Sequence, residues 1–250
     1  MTKPANQFSR FVRANGEVKQ RIIGASFGDP GTGKTSFWLS APGPIVVQSL
    51  DKGLEGVVEK FQVDKEIYLA EYNWSPTEEL SQDDAIGLRD KFIEDFEHAI
   101  QHARTVVWDK ETDVWELFRY AEFGAPSDSP RNYPALNQRY RRYVNMPKDL
   151  DINFGMIQGM KSRWISKPDP KTGALKGFDT GERVRQGFSD IDGLVHLNLY
   201  HRREPGRFII EVGKARGPGG QDVQDQTFES LTFPEFAQLV FPESEESDWV

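Results

Sequence analysis

Eight consecutive residues, Gly28-Asp29-Pro30-Gly31-Thr32-Gly33-Lys34-Thr35, fill every fixed position of the pattern G-x-x-x-x-G-K-[ST], with Ser36 behind them. At this spacing the glycines let the backbone curl until successive N–H groups face phosphate oxygens. The lysine reaches the β- and γ-phosphates, and the Thr35 hydroxyl ligates Mg²⁺. A helix that starts at the end of the loop adds its N-terminal dipole to the same anion site. The chemistry this implies is the binding of ATP with Mg²⁺.

Six further positions carry groups suited to that chemistry. Asp109 ends the apolar run Thr105-Val106-Val107-Trp108, where a carboxylate at a strand tip holds Mg²⁺ directly or through water. Asp51 ends the run Pro44–Leu50, and a carboxylate there can orient an attacking water; Glu55 is a second candidate for that role. Gln158 ends the run Ile152–Ile157, where an amide senses whether a γ-phosphate is present and passes that state to the next loop. Lys214 and Arg216 point the same way on an extended segment and could stabilise charge developing on a phosphate, as an arginine finger does.

The elements that position these groups alternate between strand and helix. Arg21–Phe27 reads as a strand entering the loop, and Thr35–Leu39 as the start of a helix. Pro44–Leu50 is a second strand, Leu54–Phe61 a short helix and Glu66–Ala70 a third strand. Ser75-Pro76-Thr77-Glu78-Glu79 resembles a helix start, and Ile86, Phe92, Ile93, Phe96 and Ile100 recur at helical spacing up to Ala103. Val114, Trp115, Phe118 and Tyr120 mark a helix after Asp109, and a breaker-rich loop covers 124–130. Ser166–Asp192 reads as a mobile loop or an extended hairpin. Leu194–Tyr200 and Arg207–Val212 pair about a Glu204-Pro205-Gly206 turn. This order predicts an α/β fold with a mainly parallel twisted sheet, helices on both faces and a C-terminal antiparallel strand pair. Ligands of such a sheet sit at the carboxyl ends of its strands.

The 250 residues carry a net charge of −8 and no cysteine. Disulfides and thiolate metal sites are therefore excluded, and a cytoplasmic setting fits. No apolar run approaches the length of a membrane span, so no membrane partner is expected. Residues 1–19 read as an N-terminal arm, 20–240 as one ATPase domain and 241–250 as an acidic tail. Within this acidic chain, residues 139–185 hold eleven Lys/Arg against five acids, interleaved with Tyr140, Tyr143, Trp164 and Phe178. Single-stranded nucleic acid is bound by such mixtures, with cations tracking phosphates and rings stacking on bases.

The phosphate loop, an acid after the second strand, Val106-Val107-Trp108-Asp109, a strand ending in Gln158 before a long basic loop, and the late Lys214-Ala215-Arg216 occur in an order similar to the core of RecA recombinases. The chain most resembles the compact, core-only RecA-like ATPases encoded by phages, which act as single-strand annealing proteins. The resemblance covers about residues 20–217. It implies a RecA-like core and a DNA recombination protein that hydrolyses ATP, assembles as a filament or ring on single-stranded DNA and promotes annealing or strand exchange. A single-strand-binding protein is a further partner it suggests. It makes Lys34 and Thr35 the phosphate and Mg²⁺ residues, Asp109 the acid at the metal and Gln158 the switch. Lys214 and Arg216 become fingers toward ATP on the adjacent subunit. It assigns DNA contacts to Arg131 and Tyr133 in a first loop, and to Lys161, Arg163, Trp164, Lys167, Lys171 and Lys176 in a second. Phe11-Val12-Arg13-Ala14 resembles the plug by which eukaryotic relatives insert a Phe into the next subunit. Two positions depart from the family: Asp51 stands where RecA members have a Glu, and Trp108 is bulky beside the acid. The alternatives are a small-molecule kinase with a lid at 160–190, or a nucleotide-switch ATPase of a phage replication or packaging complex.

Overall fold

A computed structural model describes residues 19–50, 53–75, 80–124, 133–169 and 173–250. Residues 1–18 of the arm with Phe11–Ala14, and Asp51, Arg131 and Lys171, lie outside the described residues.

Eight strands form one sheet, in the order β10-β9-β8-β1-β5-β4-β2-β3. In chain order these are β1 (Ile23–Phe27), β2 (Ile45–Ser49), β3 (Ile67–Glu71), β4 (Thr105–Asp109), β5 (Asn153–Gln158), β8 (Leu197–Glu204), β9 (Arg207–Ala215) and β10 (Thr227–Glu229). The strands from β3 across to β8 are parallel, and β9 and β10 continue the sheet antiparallel. This is a mixed α/β fold with a large, mostly parallel sheet and a C-terminal antiparallel group. A separate two-stranded hairpin, β6 (Met160–Pro168) with β7 (Leu175–Arg185), stands off it.

The central strands are buried apolar runs because both faces are covered, as a parallel sheet requires. Two helices, α2 (Gln82–His102) and α3 (Glu111–Phe123), pack on one face with α4 (Tyr133–Asn145). Phe92, Phe96, Trp108, Tyr140 and Phe154 meet there. The other face receives α1 (Lys34–Leu39) and α7 (Phe233–Val240) through Phe37, Trp38, Phe233 and Phe236. Two one-turn helices, α5 (Ile191–Leu194) and α6 (Gly220–Val223), complete the chain. Trp38 lies against β1 and β5 because Gly24 and Gly155 leave room for it. A Cβ on Gly155 would stand 2.3 Å from the indole.

Several sequence expectations shift. Helix α2 begins at Gln82, six residues beyond Pro76. Ser81 caps it by accepting the Asp84 N–H, and Asp83 and Asp84 fill its first turn. The cap and the acids stabilise a helix start at this point; residues 76–79 lie outside the described residues. Leu54–Phe61 forms turns with a single 3-10 turn at Val58–Lys60 rather than an α-helix. Helix α4 has no counterpart in the sequence reading. The breaker-rich stretch after Ser166 is a hairpin, and it begins earlier, at Met160. The acidic end packs on the body: Trp249 is 1% exposed, stacks on Phe241 and donates its indole N–H to Ser244 Oγ at 2.8 Å. Trp108 is a core residue that donates to Gln48 Oε1 at 3.0 Å.

Candidate functional site

All the parallel strands deliver their carboxyl ends to one edge, where Phe27 pairs with Gln158 and Tyr200, and Ser49 pairs with Asp109. The phosphate loop leaves β1 at this edge. Gly28, Gly31 and Gly33 all have positive φ, the backbone conformation a tightly curled loop needs. Gly28 also passes so close to β8 that a Cβ would lie 2.1 Å from the His201 carbonyl. Gly33 holds a left-handed conformation at the entry to α1, with the Phe208 ring beside it.

Lys34 folds over the loop. Its ammonium donates to the carbonyls of Gly28 (2.9 Å) and Asp29 (2.8 Å) and to Thr32 Oγ1 (3.3 Å). The Thr35 hydroxyl donates to Asp109 Oδ2 at 3.0 Å. Two residues 74 positions apart, singled out separately as Mg²⁺ ligands, are thus in contact, and Asp109 is only 6% exposed. Among the described residues no group of three or more His, Cys, Asp or Glu could hold a metal by itself. A hydroxyl with one carboxylate fits Mg²⁺, which keeps several waters and takes further oxygens from substrate phosphates.

Gln158 is fully buried at the tip of β5, between β1 and β4. Its Nε2 donates to Glu111 Oε2 at 2.6 Å, while its Oε1 is buried with no partner among the described residues. Glu111 is fully buried too. It accepts the Tyr140 hydroxyl at 2.6 Å and the Phe188 N–H at 3.4 Å. Burial pushes its carboxyl up to about 7, against the opposing pull of those hydrogen bonds and of Arg185. Sequence reasoning missed Glu111, which looks like an ordinary acid in the first turn of α3. The available signal was its place two residues after the strand-ending Asp109, at the tip of a buried sheet.

The hairpin β6–β7 follows Gln158 after one residue, so its base lies beside the site. Arg183 near that base pairs with Asp29 of the phosphate loop at 2.6 Å and donates to the Met160 carbonyl. Arg185 lies over the Phe27 ring at 5.2 Å. Farther out, Trp164 is 64% exposed and packs over Gly177. Lys161, Arg163, Lys167, Lys176 and Phe178 are exposed on the same ribbon, and Arg163 pairs with Glu182 at 2.8 Å. Tyr133 lies apart from this group. Its hydroxyl accepts from Arg119 at 3.0 Å, and its ring packs against Phe123.

Glu55 is exposed on the turns after β2. Lys214 and Arg216 lie at the opposite edge of the sheet from the phosphate loop. Lys214 pairs in register with Asn198, and the Arg216 N–H bonds to the carbonyl of His196, whose own N–H bonds to Ile23 at the start of β1. Five residues of strand separate that level from Gly28, roughly 16 Å at the usual rise. These two cations therefore stand away from their own phosphate loop. Lys214 donates to the carbonyls of Asp192 and Val195. Arg21 and Lys148 join them around His196. Burial, aided by these four cations, lowers His196 to about 4. The Arg21 Nε and Nη1 atoms are buried with no partner among the described residues.

Among the described residues no helix is long and apolar enough to cross a membrane. No protein-family model and no curated protein matches this chain.

Proposed function

We propose that the protein is a RecA-like ATPase that binds single-stranded DNA in an ATP-dependent manner and assembles with copies of itself to anneal or exchange strands. The observation that carries this reading is the contact between Thr35 and Asp109 at the mouth of a loop whose glycines all have positive φ. The loop N–H groups and Lys34 would hold the phosphates of ATP, and Thr35 with Asp109 would hold Mg²⁺. Bound there, the cation supplies charge neutralisation for phosphoryl transfer to water.

The DNA half of the reading is supported by the hairpin. A ribbon bearing exposed Lys161, Arg163, Trp164, Lys167, Lys176 and Phe178 offers cations and a stacking ring together. Its base touches the nucleotide loop through Arg183 and Asp29, so occupancy of the loop has a direct route to the ribbon. Lys171, Arg131 and Asp51 keep the roles the resemblance implies, although they lie outside the described residues.

Two observations support self-assembly. Lys214 and Arg216 stand away from their own loop, on an edge that could face the nucleotide bound by a neighbouring copy. At the other end of the sheet, β3 is an edge strand with Tyr68 55% and Leu69 43% exposed, above a groove floored by Ala70, Ala99 and Ala103. An open edge with apolar side chains is a template for strand addition from another chain.

The test is steady-state ATP turnover with and without single-stranded DNA, with small-molecule phosphoryl acceptors assayed in parallel. DNA-stimulated release of inorganic phosphate is expected. Transfer to a small acceptor without DNA stimulation would identify a kinase and overturn the reading.

A further inference from the structure

The fully buried Glu111 has no part in the phosphate loop, the Mg²⁺ pair or the hairpin surface, yet it joins three elements. Its Oε2 accepts from Gln158 at the tip of β5, and its Oε1 accepts from Tyr140 on α4 and from the N–H of Phe188, three residues past the end of β7. The aromatic rings follow the same grouping. Phe188 lies 4.9 Å from Tyr140 and 4.7 Å from Trp115 of α3. Gly187 packs against the pair so closely that a Cβ there would stand 2.3 Å from Glu111 Oε2 and 2.7 Å from Gln158 Nε2. The segment that closes the hairpin is therefore fitted around the Glu111–Gln158 hydrogen bond.

The Gln158 amide is satisfied on one side only: its N–H is held by Glu111, and its carbonyl oxygen is buried without a partner among the described residues. A buried amide oxygen left unpaired is costly, which favours any rearrangement that gives it a donor. Such a rearrangement requires Gln158 to turn, and turning breaks its bond to Glu111.

We propose that Glu111 is a positioning residue: a latch that holds Gln158 in its resting orientation and, when Gln158 turns toward bound nucleotide, transmits the change to α4 and to the hairpin through Tyr140 and Phe188. The inference rests on the nucleotide-binding reading above. It adds to that reading a residue and a route that do not depend on DNA. Each link is a hydrogen bond accepted by one carboxylate, so a change at Gln158 reaches the other elements through a shared group rather than through mere proximity.

Hydrogen exchange of the full chain, with and without a non-hydrolysable ATP analogue and Mg²⁺, tests it. The variants are Tyr140→Phe, which keeps the packed ring and removes only the donor, and Glu111→Gln, which keeps the shape but offers one acceptor oxygen in place of two. In the wild-type protein the analogue should change exchange in residues 183–189 and 136–144. In both variants that change should shrink by about five-fold or more, the lower end of ordinary coupling, while analogue affinity stays within about two-fold. An unaltered response in either variant overturns the latch, and so does wild-type protein that binds the analogue with no exchange change at these segments. Failure to bind the analogue at all overturns the nucleotide reading itself, and with it the latch.

Discussion

At the scale of single residues, the chemistry-bearing groups sit where their types demand. Thr35 and Asp109 meet because the loop after β1 and the tip of β4 reach the same sheet edge. Replacing Asp109 by Asn removes the charge while keeping an acceptor for the Thr35 hydroxyl. Nucleotide binding by this variant should lose its tightening on addition of Mg²⁺, by about ten-fold or more, read by calorimetric titration with and without the cation; Mg²⁺-dependent affinity equal to that of wild type would remove Asp109 from the metal site. Two histidines give a second residue-scale prediction. His201 is buried against Ser26 and Phe37, and burial, with Lys34 nearby, lowers it to about 3; His196 is lowered to about 4. Both groups stay neutral in the folded chain but take up protons near pH 6.5 when unfolded. Between those values the unfolded state binds more protons, so their contribution to stability is full above about pH 6.5 and declines as the pH falls toward 4 and then 3. Denaturant midpoints measured from pH 7 to pH 4 should fall, and His196→Asn should flatten the slope. Lys34 and Thr35 were legible from the spacing of the glycine-rich loop, and Asp109 and Gln158 because each ends an apolar run. Glu111 was not, because Tyr140 and Phe188, which surround it, come from segments 29 and 77 residues away.

At the scale of elements, the parallel strands β1–β5 were legible to within two residues, since buried parallel strands are short apolar runs bounded by polar tips, whereas β8 and β9 run three or more residues past Tyr200 and Val212 and β10 was not anticipated. Thr105–Asp109 matches without change, and the two-residue turn at Pro205-Gly206 sets the β8–β9 register with Glu204 opposite Arg207. Helix α4 was hidden because its apolar stripe is only Leu136, Tyr140 and Val144 among arginines and polar residues. The start of α2 was expected at Ser75–Glu79 from Pro76 and the acids beside it, whereas the helix described begins at Gln82, where Ser81 accepts the Asp84 N–H. The close fit of α1 onto the sheet predicts that Gly155→Ala, which drives a methyl into the buried Trp38 ring, lowers stability by about 1–3 kcal/mol in chemical denaturation. A neutral result would mean that Trp38 can withdraw from β5. For the hairpin, Trp164→Ala should weaken single-stranded DNA binding by about 1–3 kcal/mol in fluorescence anisotropy while leaving nucleotide affinity unchanged. Loss of both affinities together would point to a folding defect in place of a stacking role.

At the scale of the whole molecule, the basic excess of residues 139–185 does not form one surface. Arg139 pairs with Glu122 and Arg141 with Asp190 beside α4. Lys148 joins Arg21 at the sheet edge away from the phosphate loop, and the described cations from Lys161 onward ride the hairpin. A count along the sequence could not separate these places, because the fold sends neighbouring segments to opposite ends of the sheet. The same division bears on the proposed assembly: the loop and the Lys214–Arg216 cluster sit at opposite edges of one chain, so in that proposal a site takes one from each of two copies. Mixing Lys34→Ala with Arg216→Ala protein should therefore yield more ATP turnover than the two variants give apart, since interfaces pairing an intact loop with an intact Arg216 form only in the mixture. Additive turnover would confine the site to one chain. The central claim, that one site couples nucleotide to single-stranded DNA, is tested most directly by anisotropy of a labelled oligonucleotide titrated with protein, with and without ATP and Mg²⁺. Nucleotide should tighten binding by wild-type protein and leave Lys34→Ala unchanged. Binding that is the same for both proteins, with or without nucleotide, would contradict it.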